Sequence, residues 1–233
     1  MTHKTRAIVL HKALFKESSF LVKLMTDDSG VVSALVQGAR KNKSPFFSHF
    51  ELGNCLEIVL LKKHTSDLSK ITDSSVIKCS DISNYSYAQS LSIHSVLELF
   101  SQLIISDEES EVFFSLLLTF LDYIPTVKNN HLLIIWRFLI RLTELLGFPF
   151  VYQIDGKYKF FEGVEIGYTV PSLQTPQDWL DLLPSAAKYI HEPNILNKSC
   201  LLMNKLLLGW FDTHLQNKLH SKALTMYEEY VLS

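Results

Sequence analysis

Val31-Val32-Ser33-Ala34-Leu35-Val36-Gln37-Gly38-Ala39-Arg40-Lys41-Asn42-Lys43-Ser44-Pro45-Phe46-Phe47 is the stretch on which the reading of this chain turns. It opens as a short run rich in β-branched and apolar residues, the composition of a strand. Gly38 ends that run, and Arg40, Lys41 and Lys43 follow on a loop. Pro45-Phe46-Phe47 comes at once behind them. Moving towards the start, Asp27-Asp28-Ser29-Gly30 has the Asp and Gly chemistry of a hairpin turn. Before it lies Phe20-Leu21-Val22-Lys23-Leu24-Met25-Thr26, and before that Ala7-Ile8-Val9-Leu10, two further strand candidates. On the other side, Leu56-Glu57-Ile58-Val59-Leu60-Leu61 and a weaker segment at 68–71 supply the fourth and fifth. Five short strands with polar turns between them predict a small closed barrel rather than an α/β unit.

From about Ser86 the apolar period changes from two to 3.6, with Leu91, Val96, Leu97, Phe100, Leu103 and Ile104 on one side of a helix. Asp107-Glu108-Glu109 opens a second helix, where carboxylates suit the N-terminal dipole, and Pro125 ends it. A third covers 131–146 and stops at Gly147-Phe148-Pro149. Residues 151–168 alternate around Asp155-Gly156 and predict a small hairpin. Helical pattern resumes near Pro176 and again over 195–231. The expectation is an α+β protein: a five-stranded β-barrel domain over 1–82, then a helical domain over 83–233 carrying a β-hairpin near 150–170.

Charge follows the same division. The whole chain carries a formal net charge of −2, with 47% hydrophobic and 20% charged residues, enough to build cores. Residues 1–82 hold 12 Lys+Arg against 8 Asp+Glu, whereas 83–233 hold 10 against 16. A basic N-terminal part on an acidic body suits a polyanionic partner, against the plainer reading of scattered surface charge. Cys55, Cys79 and Cys200 form no CxxC pair, so neither a zinc ribbon nor a disulfide framework is expected, and a reducing compartment fits. The start of the chain has no apolar signal region, and the apolar run at 132–136 meets Arg137 and Arg141. A soluble cytoplasmic protein is expected.

Catalytic signatures are missing. The sequence has no GxxxxGK[ST], GxGxxG, HExxH or GxSxG, and its nine histidines make no spaced ligand set. Adjacent carboxylates such as Asp27-Asp28 and Glu228-Glu229 point different ways and suit turns and helix surfaces. No catalytic residue, metal or cofactor is therefore expected. Binding chemistry is better represented. Arg40, Lys41 and Lys43 leave one strand, Lys62 and Lys63 another, and Lys12 and Lys16 flank the first strand connection. In a five-stranded barrel these positions can converge on one face and track a phosphate backbone. Phe15, Phe46 and Phe47 lie close enough to stack on bases, Phe46 and Phe47 being otherwise buried against the barrel or the helical domain, and the basic loop is otherwise a solvated turn.

Taken in order, Thr5-Arg6-Ala7-Ile8-Val9-Leu10, Glu17-Ser18, Leu21-Val22, Thr26 with Gly30, and Gln37-Gly38-Ala39-Arg40-Lys41-Asn42-Lys43-Ser44 resemble the N-terminal pattern of bacterial RecO proteins. Arg137-Phe138-Leu139 through Leu145-Leu146-Gly147-Phe148 looks like that family's helix ending in LLGY or LLGF, and 211–221 is similar to its closing helix. The resemblance implies an N-terminal OB-fold and a non-enzymatic mediator of DNA repair and recombination. Such a protein binds single- and double-stranded DNA, anneals complementary strands, binds the acidic C-terminal tail of single-stranded DNA-binding protein, and with RecR helps load RecA. It implies a cytoplasmic, nucleoid-associated location. Arg40, Lys41 and Lys43 match the family's basic loop; Lys12, Lys16, Lys62 and Lys63 follow from their places in the barrel. Arg137 and Arg141, four apart on one helical face beside an apolar groove, are the candidates for the acidic tail, or else solvated charges. Many RecO proteins carry a four-cysteine zinc module after the LLGF helix; residues 151–169 contain no cysteine, so no zinc is carried over. The rival reading is an OB-fold module that binds RNA or a protein without annealing, since the fold alone does not choose.

Overall fold

The computed structural model describes residues 2–41, 44, 46–61, 68–103, 105, 107–128, 131–148, 152–155, 158–161, 164–165, 204, 207–215 and 219–232. They fall into two compact units, one of 1–126 with 220–229 and one of 127–219 with 230–233. The change of period near residue 82 separates strand from helix; the compact units divide elsewhere.

The first unit is built on a closed barrel of β1 (Thr2–Phe15), β2 (Ser19–Thr26), β3 (Val31–Val36), β4 (Cys55–Leu61) and β5 (Ser69–Lys78), in the order β1-β2-β3-β5-β4. β1 is much longer than its apolar run because it serves two neighbours. Its first half pairs with β4, from Thr2↔Leu61 to Ile8↔Cys55, and its second half with β2, from Ala7↔Thr26 to Phe15↔Ser19. A bulge between Val9 and His11 bends it from one ladder to the other. A short parallel pairing of β3 with β5, Ala34↔Ser69 to Val36↔Ile71, closes the cylinder. Closure removes the edges, so the polar stretch of β5 is held by its ladder to β4 rather than by apolar packing. This is the expected OB-fold.

Inward positions alternate along the strands: Ala7 and Val9, Val22 and Leu24, Ala34 and Val36, then Leu56, Ile58 and Leu60 are all buried in one cluster. Phe50, which follows the short helix α1 (Phe46–His49), is buried in the same cluster. The outward Ile8, Leu10 and Met25 are buried as well, because α2 (Tyr87–Phe100) packs on β1 and α3 (Ser110–Tyr123) on β2. That explains why Ala7-Ile8-Val9-Leu10 is apolar on both faces. α2 starts with a capping box of Ser86 and Gln89. Near its other end Glu98 accepts hydrogen bonds from the Ser221 hydroxyl (2.9 Å) and the Ala223 amide (3.1 Å). Gln102 exchanges two more with the backbone of His220. These bonds fasten the start of the helix Lys222–Leu232 to the barrel unit, so the helical pattern expected over 195–231 is broken around residues 219–221.

A polar clasp ties β1 to the β2–β3 turn. Asp27 accepts from the Thr5 hydroxyl (2.6 Å), the Arg6 guanidinium (2.6 Å) and the Arg6 amide (3.2 Å). Burial alone pushes the Asp27 carboxyl up, but those hydrogen bonds and the Arg6 charge outweigh it and hold it below the usual carboxylate range. The Ser110 hydroxyl donates to the Asp27 carbonyl (3.0 Å), and Arg6 lies over the Phe114 ring at 5.1 Å, so the clasp also reaches α3. Burial likewise pushes the Cys55 thiol up.

In the second unit α4 (His131–Leu145) buries Leu132, Ile135, Trp136, Leu139 and Leu142 on one stripe, as its period requires. It ends as read: the amides of Gly147 and Phe148 bond back to the carbonyls of Glu144 (3.2 Å) and Thr143 (3.1 Å). Phe148 then stacks on His214 at 5.0 Å and its carbonyl accepts from the Trp210 indole at 3.0 Å, which joins this helix end to the helical stretch 207–214. The expected hairpin is present as β6 (Tyr152–Asp155) and β7 (Tyr158–Phe161), paired up to Asp155↔Tyr158, with a two-residue β8 (Val164–Glu165) added. The helix expected near Pro176 lies outside the described residues. Among the described residues no helix is long and apolar enough to cross a membrane.

Candidate nucleic-acid interface at one end of the barrel

The basic loop begins at Gly38, whose φ of +70° is open to glycine but strained for a side chain. Backbone bonds then organise its described residues. The Arg40 amide donates to the Ser18 carbonyl (3.0 Å), Lys41 to Gly38 (3.1 Å), Ser44 to Lys41 (3.0 Å) and Phe47 to Ser44 (3.3 Å). The Arg40 guanidinium also donates to the Lys16 carbonyl at 3.4 Å. Lys16 itself holds a φ of 51°, uncommon without glycine, at the β1–β2 turn. The loop after β3 and the turn after β1 are thereby held against each other. That brings Lys16, Arg40 and Lys41, all exposed, to one end of the barrel.

Lys12 sits further along β1, opposite Val22, on the inward side of the hairpin where it passes the barrel core. It is partly covered, ion-paired to Glu51 at 2.8 Å and 5.2 Å above the Phe20 ring. Its charge is therefore partly answered within the chain, unlike that of a free cation. The three aromatic candidates separate. Phe46 turns inward, 6.4 Å from Phe50 and packed on the core. Phe15 is half-buried under Lys16, whose amine lies 5.5 Å from its ring. Phe47 is 58% exposed. Of the other expected contacts, Lys43, Lys62 and Lys63 lie outside the described residues. In the second unit Arg137 and Arg141 are both on the exposed side of α4, and Arg141 is ion-paired with Glu144 one turn on. The clasp around Asp27 and the role of Glu98 escaped the sequence reading, since both partners of each bond are distant in the chain.

Residues 1–80 match the family model described as the N-terminal domain of recombination protein O. The chain is 33% identical over 149 residues to a DNA repair protein RecO of Chlorobium limicola, an alignment covering 64% of this chain and 57% of that protein. It is 34% identical over 154 residues to a namesake from Chloroherpeton thalassium, covering 66% and 59%. Over about two thirds of its length the chain is similar to RecO proteins, and its first 80 residues match their N-terminal domain. A third RecO, from Pelodictyon phaeoclathratiforme, is 26% identical over 184 residues, 79% of this chain and 69% of its own length. The chain thus spans under three fifths of the first two relatives it matches. A four-cysteine zinc module of the kind many RecO proteins carry does not fit this chain: four thiolates are needed, and 151–169 offers none. Among the described residues no group of three His, Cys, Asp or Glu side chains is placed to hold a metal ion.

Proposed function

We propose that this chain is a DNA-binding mediator of recombinational repair which anneals complementary strands and, with RecR, helps load RecA onto DNA covered by single-stranded DNA-binding protein. The observation that carries the reading is the hydrogen-bonded junction of the basic loop with the β1–β2 turn, which gathers Lys16, Arg40 and Lys41 on a RecO-type barrel. Loops at one end of an OB-fold are where oligonucleotides bind, and fixed cations there neutralise phosphates without a reordering cost. Lys12, Lys43, Lys62 and Lys63 are proposed as further phosphate contacts. No covalent step is required: two strands whose charge is screened by one protein surface pair faster, because repulsion no longer opposes base pairing. The protein then works in the cytoplasm, at the nucleoid.

The test is annealing of two complementary labelled oligonucleotides over a range of salt. Acceleration that fades as salt rises is expected. A folded protein that gives none at low salt sinks the annealing role, and binding to RNA or to a protein alone would take its place. For the acidic tail of single-stranded DNA-binding protein we propose Arg137, with Arg141 released from Glu144, as the carboxylate contacts. Arg137→Ala is expected to weaken capture of a tail peptide several-fold while DNA affinity stays within about twofold. Equal loss of both would refute separate surfaces.

A further inference from the structure

Two adjacent phenylalanines on one short helix point opposite ways, and only the inward one is explained by the core. Phe46 packs on Phe50 and the barrel cluster. Phe47 keeps 58% of its surface in water, and its ring centroid stands 6.3 Å from that of Phe20. Phe20 pairs in register with Leu14, which is 69% exposed. A lone exposed apolar side chain needs no explanation, but here two lie beside one buried ring. Cations stand next to them: the Lys12 amine lies 5.2 Å over Phe20, and Lys16, two residues beyond Leu14, accepts the Arg40 guanidinium on its carbonyl. Glu51 and Glu17 are the carboxylates on the same segments, and Glu51 is taken by Lys12.

We infer that Phe47 is a stacking platform for a base of single-stranded DNA, with Leu14 as its apolar flank, and that it makes this barrel end prefer single strands to duplex. The inference rests on the proposed DNA-binding reading of the same barrel end. In a duplex both faces of each base are already covered by neighbours, so a protruding ring gains nothing from it. An unpaired strand exposes those faces, and each base that stacks on an aromatic ring contributes without regard to its identity. The nearby cations hold the phosphates while the ring holds the base. The platform is anchored for this work: the Phe47 amide is bonded to Ser44, which is bonded in turn to the basic loop.

The experiment uses the whole chain with a labelled oligo-dT of about 20 nucleotides and a duplex of the same length, followed by fluorescence anisotropy across salt. Phe47→Ala is expected to weaken oligo-dT binding about tenfold, to leave the duplex within about twofold, and to keep the salt slope. Phe47→Leu, which fills the same space without a π face, should lose as much, and Phe47→Trp should bind well with its added fluorescence quenched by oligo-dT. Phe47→Ala that binds oligo-dT like the parent, or loses both ligands equally, overturns the stacking role. Failure of the unsubstituted protein to bind either ligand overturns the DNA-binding reading itself, so the two failures are distinguishable.

Discussion

Replacing Arg40, Lys41 and Lys43 together by alanine is expected to lower DNA affinity on the order of a hundredfold at about 0.1 M salt, uniformly across sequences. The reason is counterion release. Each neutralised phosphate on duplex contributes about 0.9 to the slope of log affinity against log salt, and about 0.7 on a single strand. Three lost contacts therefore flatten the slope by about 2.7 or 2.1 respectively, and the flattening is the diagnostic reading. Sequence preference should not change, because phosphates carry no base identity. Arg40 has a second task, since its guanidinium reaches the Lys16 carbonyl and its amide the Ser18 carbonyl. The amide bond survives substitution, so the loop should keep its path while losing charge. Titrations of parent and triple variant at four or more salt concentrations decide the matter: parallel lines would remove this loop from the interface.

Gly30→Ala is expected to destabilise the barrel unit by roughly 2–4 kcal/mol, from left-handed backbone strain together with overpacking. Gly30 closes the β2–β3 turn with φ of +61°, and its carbonyl accepts from both the Thr26 amide and the Thr26 hydroxyl at 2.8 Å. An added Cβ would stand 2.3 Å from the Ile105 carbonyl oxygen and 3.2 Å from its carbon. Those are backbone atoms of the segment leading into α3, and they cannot rotate aside as a flexible side-chain end would. Asn tolerates positive φ far better than Ala, so Gly30→Asn isolates the contact from the torsional strain. Urea unfolding should find both variants weakened, the Ala one more. An Asn variant as stable as the parent would mean that Ile105 yields at no cost.

Much of the candidate site is legible in the sequence. A strand leaving through Gly38 into Arg40-Lys41 is a local pattern, and the structure has that strand, that glycine at positive φ and those exposed cations. Convergence of the loop on the β1–β2 turn was only a possibility, because it depends on strand order in a closed sheet. The fates of Phe46 and Phe47 were not separable either: adjacent residues of one type in a four-residue helix carry no periodic signal, and only packing on the buried Phe50 and the barrel core distinguishes the covered ring.

By itself the sequence determined the strand–turn alternation of the first 80 residues, the amphipathic stripes of α2, α3 and α4, the helix end at Gly147 and the hairpin after it. These features are settled by neighbours within a few residues, through side-chain period, turn torsions and capping. The tertiary structure alone decided that β1 runs on to Phe15 and bends at a bulge to serve two ladders, and that a polar β5 completes the barrel. It alone bound Asp27 to Arg6 and Glu98 to Ser221, and it laid Gly30 close against the Ile105 backbone. Each of those pairings joins segments whose separation along the chain leaves no periodic trace. They form because backbone groups and charges removed from water must find partners wherever the closed barrel and its helices bring them.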